Sequence, residues 1–65
     1  MDILKRELFA DCVYYQMLYL AGVAKLGEFD RLTAVREAKF TALYELIESS
    51  GLVDEFEEWK KQQVA

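Results

Sequence analysis

The apolar stretch from Leu8 to Ala21 constrains this chain more than any other feature. Only Asp11 and Gln16 are overtly polar in these fourteen residues. Read as a helix, the stretch is apolar on more than one side. One side carries Phe9, Val13, Met17 and Leu20, and another carries Leu4, Leu8, Tyr15, Leu18 and Tyr19. A helix that is apolar nearly all round must be covered nearly all round. We expect further helices of the chain to cover part of it and a partner chain to cover the rest.

The length of 65 residues predicts a single helical domain, residues 1–65. A chain this short buries only about 60% of the surface that its unfolded form exposes, so small scaffolds usually add disulfides, a metal or oligomerisation. Cys12 is the only cysteine and histidine is absent, which excludes an intrachain disulfide and argues against a structural zinc site. The hydrophobic fraction is 54%, above the roughly 45–50% typical of soluble domains. Oligomerisation is therefore the expected stabiliser.

The cysteine usage and the N-terminal residues predict a cytoplasmic protein, in a bacterium or a host cell. A lone free cysteine is typical of a reducing compartment. Charges of both signs surround the first apolar residues, unlike a signal peptide, and the apolar stretch is too short to span a membrane. The net charge of −4 lies entirely within residues 45–65. Direct nucleic-acid binding needs clustered positive charge and is not expected.

The pattern of apolar residues predicts an all-α fold with three helices. Proline is absent, and the only glycines, Gly22, Gly27 and Gly51, punctuate the chain. The first helix begins near Asp2 and ends at Gly22 or Gly27. Gly27 is the preferred end, because Lys25 then lies in the last turn, where a cation suits the helix dipole.

The second helix is expected from about Glu28 to Ser50, with an apolar face that starts at Phe29. Gly51 is expected to adopt the left-handed conformation after it, which places Leu52 against Ile47 in a Schellman ending. A short third helix follows. Asp54 is expected to cap it, with Glu57 completing a capping box, and Phe56 and Trp59 to dock it.

Two cations interrupt the apolar face of the second helix. Arg36 and Lys39 fall between apolar residues on a helical wheel, and Asp11 occupies a similar position in the first helix. One interpretation is a buried ion pair between Asp11 and Arg36 or Lys39, whose loss on removing one partner would cost about 3–5 kcal/mol. The other is that both cations bury only their aliphatic stems and keep their charges in water.

The sequence offers little for catalysis, and we expect no enzyme, no cofactor and no metal. The usual general base is missing because there is no histidine. Cys12 has no base partner, and its apolar neighbours predict a buried, inert thiol. Neither a phosphate-binding loop nor a nucleophile elbow is present.

The function expected from these features is a protein-interaction module that acts as a homodimer or a larger helical assembly. The candidate interface on the first helix consists of Leu8, Cys12, Tyr15, Leu18 and Tyr19. A related possibility is a subunit of a hetero-complex whose partner covers the first helix.

The alternative function rests on the acidic C-terminal third, whose simpler interpretation is a solvated face that keeps the protein soluble. Its acids are Glu45, Glu48, Asp54, Glu55, Glu57 and Glu58. A negative surface of this kind can dock on a basic protein that handles nucleic acids. The compact, acidic chain is similar to small phage-encoded accessory proteins, and the alternative is an inhibitor of that type.

Overall fold

A computed structural model of the chain describes residues 2–63. Within them the chain forms three α-helices and no β-strand. They are α1 (Ile3–Leu26), α2 (Arg31–Ser49) and α3 (Val53–Gln63). The predicted all-α class is therefore confirmed.

Helix α1 is the longest element and runs without interruption through Gly22. The Asp2 carboxylate caps its start by accepting a hydrogen bond from the Leu4 backbone N–H at 2.9 Å. The helix ends at Gly27, which has a φ of 91° and donates its N–H to the Gly22 carbonyl. A positive φ strains every residue except glycine. Gly27 is thus the terminator, as the sequence predicted.

Gly22 lies at a close approach between α1 and α2. A Cβ atom on Gly22 would lie 2.8 Å from the Thr33 hydroxyl oxygen on α2. Farther along α1, Leu18 contacts Arg36, and Tyr15 contacts Lys39. The contacts move toward the N-terminus of α1 as they move toward the C-terminus of α2, so the two helices form an antiparallel hairpin.

Helix α2 begins later than the sequence suggested. Asp30 is its N-cap, because the Asp30 carboxylate accepts a hydrogen bond from the Leu32 backbone N–H at 2.9 Å. Glu28 and Phe29 therefore lie in the turn between the helices. The expected start at Glu28 and the place of Phe29 on the apolar face were wrong. Aspartate is among the preferred N-cap residues, so α2 begins after Asp30. Phe29 lies before the cap and is 94% exposed.

The end of α2 has the predicted Schellman geometry. Gly51 has a φ of 70°, its N–H donates to the Glu48 carbonyl at 3.0 Å, and the Leu52 N–H donates to the Ile47 carbonyl at 3.0 Å. These two bonds satisfy carbonyls that the last turn would otherwise leave free. The chain then reverses and enters α3 directly.

Helix α3 begins at Val53, so Asp54 lies inside its first turn and does not cap it. The predicted capping box of Asp54 and Glu57 is therefore wrong. The Leu52 carbonyl already accepts the first helical bond, from Phe56 N–H at 2.8 Å, so the helix starts two residues earlier than one capped by Asp54 would. The predicted docking residues are confirmed, because Phe56 is buried and Trp59 packs half-buried against Phe9.

The core lies where α3 crosses the hairpin. Its apolar members, among the described residues, are Phe9, Cys12, Ile47 and Phe56. The rings of Phe9 and Phe56 lie 5.2 Å apart and are tilted by 45°, a favourable aromatic arrangement. A core this small leaves many large apolar side chains in contact with water.

Candidate interaction surface

The residues predicted as an interface lie mostly against α2. Leu8, Tyr15, Leu18 and Tyr19 are half-buried, and the Lys39 ammonium lies 5.2 Å from the centre of the Tyr15 ring. Cys12 is completely buried in the core. It cannot contribute to a surface of the folded chain, and its assignment to an interface is corrected.

Burial also sets the chemistry of the Cys12 thiol. Desolvation raises its pKa above the usual range, and the nearby Lys60 ammonium opposes this only in part. A raised pKa keeps the thiol protonated and therefore weakly nucleophilic at neutral pH. The expected inert thiol fits this environment.

The predicted ion pair of Asp11 does not form. Asp11 is exposed, and the ion pairs among residues 2–63 involve other acids. One terminal nitrogen of Arg36 instead donates to the Leu18 carbonyl oxygen at 3.0 Å, and Lys39 rests over Tyr15. Lys39 is exposed, as the alternative interpretation expected, whereas the Arg36 guanidinium fits neither interpretation because it is part-buried on a backbone carbonyl.

All six acids of the C-terminal third are exposed, and lysines partly neutralise them. Three ion pairs join Glu55 to Lys5 at 3.3 Å, Glu57 to Lys60 at 3.1 Å and Glu58 to Lys61 at 3.4 Å. Within residues 2–63, Glu45, Glu48 and Asp54 have no such lysine. The negative field at α3 is therefore weaker than the sequence suggests.

An extended exposed apolar surface lies on the outer face of α1, on the side away from α2. We define this outer face by the exposed residues Ile3, Ala10, Tyr14, Met17, Leu20, Ala21 and Ala24. They fall within one third of the helical circumference. Met17 is 64% exposed and Leu20 is 57% exposed. Arg6 is the one charged residue within this arc, so the outer face is apolar along nearly the whole helix.

A groove runs between the outer face and α3. It has a volume of about 410 Å³, and its apolar lining includes Val13, Met17 and Trp59. Helix α3 is only 11 residues long, so it covers the N-terminal half of α1 and leaves the rest open. The groove and the outer face form one continuous surface.

The total exposed area is high for a chain of this mass. The structure exposes 4807 Å², whereas a compact monomer of 7.6 kDa exposes about 4,300 Å². Large exposed apolar patches usually mark interaction sites, and the outer face is the candidate on α1.

The sequence contained a signal for the outer face that our prediction missed. Ile3, Ala10, Met17 and Ala24 recur every seven residues, a spacing typical of a helix–helix seam. The signal is weak because two of its four positions are alanines, which carry much less apolar area than the tyrosines and leucines nearby.

The structure offers no assembled chemical site in the part of the chain that it describes. Across residues 2–63, no three Cys, Asp or Glu residues cluster so that they could hold a metal ion. No helix in the same range is long and apolar enough to cross a bilayer.

Comparisons with known proteins give no relative at a significant level. The sequence matches no protein-family model, no curated protein and no solved structure. Functional inference therefore depends on the chain's own surface and chemistry.

Proposed function

We propose that this chain is a non-enzymatic protein-interaction module that works as a homo-oligomer, with the outer face of α1 as its contact surface. One observation carries the proposal. Apart from Arg6, the outer face is apolar and exposed along about six turns of α1, while α2 and α3 pack against other sides of the same helix. Burying such a surface in water-free contact is the main favourable term in protein association.

The proposal that the chain is not an enzyme rests on the reactivity of its side chains. The sequence has no histidine, and its only thiol is buried with a raised pKa. Neither provides a general base or an activated nucleophile at neutral pH. A free thiol of this kind is also compatible with a reducing cytoplasm.

The experiment is to measure the association state by sedimentation equilibrium, from low micromolar to millimolar protein. We expect the wild-type chain to self-associate and Met17→Glu to shift the equilibrium to monomer. The matched control is Phe29→Glu, because Phe29 is even more exposed but lies in the turn between α1 and α2. A wild-type chain that stays monomeric throughout, or equal weakening by both variants, would refute the proposal.

A second candidate function uses the acidic surface against a basic partner protein. Its specific support is the exposure of Glu45, Glu48 and Asp54 without lysine partners among the described residues. Binding through these acids should weaken steeply as salt rises, because exposed charges are screened within about 10 Å at 0.1 M salt. Replacing all three by amides should then abolish binding and leave the fold intact. Binding that is insensitive to both changes would exclude this candidate.

A further inference from the structure

We propose that the partner on the outer face is a second copy of this chain whose α1 runs antiparallel, with Glu7 of each copy opposite Lys25 of the other. This inference rests on the proposed function and specifies its partner and orientation. The observation behind it is the placement of charge at the edge of the apolar surface.

Glu7 and Lys25 lie on the same edge of the outer face. They are 18 residues apart, which is five complete helical turns, or about 27 Å along the axis. Both side chains are exposed. Neither takes part in the ion pairs formed among residues 2–63. One edge of the apolar surface thus carries an acid near one end and a base near the other.

This charge pattern is complementary to itself only when one copy is reversed. A parallel two-fold arrangement puts the same edge of the two copies on opposite sides of the seam, so neither Glu7 nor Lys25 meets the other charge there. An antiparallel two-fold arrangement keeps the same edges together and places each Glu7 against the second copy's Lys25, which is attractive twice. Complementary charge of this kind selects orientation more than it adds affinity.

The apolar residues agree with the register that these charges set. Pairing Glu7 with Lys25 puts the two-fold axis level with residue 16, near the middle of α1. Tyr14 then lies near Met17 of the second copy, which allows a sulfur–aromatic contact. Ala10 lies near the second copy's Ala21, so small residues face each other on both sides of the centre. The helices can approach closely along this seam.

Arg6 is the one cation within this surface. It lies about 100° around α1 from Glu7, inside the outer face and on the side that borders α3. There it lines a groove with Trp59, Gln62 and Gln63 of α3. In the antiparallel pair it lies nearer the middle of the contact than Glu7 does, at about the level of Lys25 of the second copy.

The test is a charge-exchange series measured as the dimer dissociation constant. Glu7→Lys alone and Lys25→Glu alone each replace two attractive pairs by two repulsive ones. We expect each to weaken the dimer about tenfold, equivalent to about 1.4 kcal/mol. The double variant restores both attractions with reversed polarity and should recover the wild-type constant. An equimolar mixture of the two single variants should form heterodimers in preference to either homodimer.

The control is Glu37→Lys, which changes the net charge by the same amount. Glu37 is exposed on α2 beside Ala34, Ala38 and Thr41, and its replacement should leave the constant unchanged. The differences between variants should shrink in 1 M salt, where screening acts within about 3 Å.

The outcomes separate this inference from the proposed function. A dimer that Met17→Glu disrupts, but whose double charge variant stays as weak as the singles, keeps the contact surface and overturns the antiparallel pairing. A mixture without heterodimer preference overturns it as well. A wild-type chain that never self-associates refutes the proposed function, and this inference with it.

Discussion

Arg36 on α2 is joined to the backbone of α1 through the carbonyl oxygen of Leu18, which accepts its hydrogen bond at 3.0 Å. A carbonyl has two lone pairs, so this oxygen can accept the Arg36 bond in addition to its bond within α1. The guanidinium lies 3.3 Å from the position that a Cβ on Gly22 would take. Arg36 therefore joins the two helices of the hairpin beside the close approach at Gly22.

Replacing Arg36 by Met should lower the free energy of unfolding by about 1 kcal/mol, because the aliphatic stem keeps its packing while the bond to Leu18 is lost.

Replacing Asp11 by Ala should change the free energy of unfolding by less than about 0.5 kcal/mol, since Asp11 is exposed and unpaired among residues 2–63. Urea denaturation measures the free energy of unfolding of this variant and of Arg36→Met. A loss of about 3 kcal/mol for Asp11→Ala would instead support a buried ion pair.

Gly22→Ala should destabilise the protein by about 1–2 kcal/mol, although alanine favours helix by about 1 kcal/mol over glycine. The new Cβ would lie 2.8 Å from the Thr33 hydroxyl oxygen, closer than the two atoms can approach. In a Thr33→Ala background that oxygen is gone, and the same substitution should stabilise the protein by up to about 1 kcal/mol. Thermal unfolding of the wild type, the two single variants and the double variant measures this change of sign. Equal effects in both backgrounds would show that contact with Thr33 is not the cause.

Phe9→Ala should cost about 3–5 kcal/mol, because Phe9 is completely buried against Phe56 and Trp59. For a domain of this size, such a loss should remove cooperative unfolding near room temperature. Phe29→Ala is the matched control. It deletes the same ring from a 94% exposed position and should change stability by less than about 0.5 kcal/mol. Circular dichroism on heating compares the two, and similar losses would contradict the placement of the core.

The Cys12 thiol should make stability fall at alkaline pH. Burial raises its pKa, so above the ordinary thiol pKa of about 8.5 the unfolded chain loses a proton that the folded chain keeps. The unfolded state then binds fewer protons, and the free energy of unfolding falls by up to about 1.4 kcal/mol per pH unit. Below pH 7 both states are protonated and the effect vanishes.

The measurement for Cys12 is the difference in unfolding free energy between the wild type and Cys12→Ala as a function of pH. The subtraction removes the titration of every other group. The difference should be flat below pH 7 and decline above about pH 8.5. A thiol reagent should also label folded Cys12 far more slowly than the unfolded chain. A flat difference together with rapid labelling would show an accessible thiol.

The helix ends show which structural features local sequence patterns predict. Gly27 and Gly51 were predictable as terminators because each end needs a positive φ that only glycine adopts readily. The starts of α2 and α3 were predicted with errors. Asp30 and Asp54 are both plausible caps, and only the path of the chain shows that the first caps a helix and the second lies within one.

The sequence by itself determined the all-α class, the three helices and the apolar character of the first helix, because these follow from periodicity and glycine placement along the chain. It did not determine which side of α1 stays open. The interface residues chosen from size and aromaticity proved half-buried under α2 or, for Cys12, fully buried. Only the tertiary structure decided this, since the close approach at Gly22 fixes the rotation of α2 about α1, and the short α3 reaches only one end of the hairpin. Both are distances between residues far apart in sequence, and no local pattern encodes them.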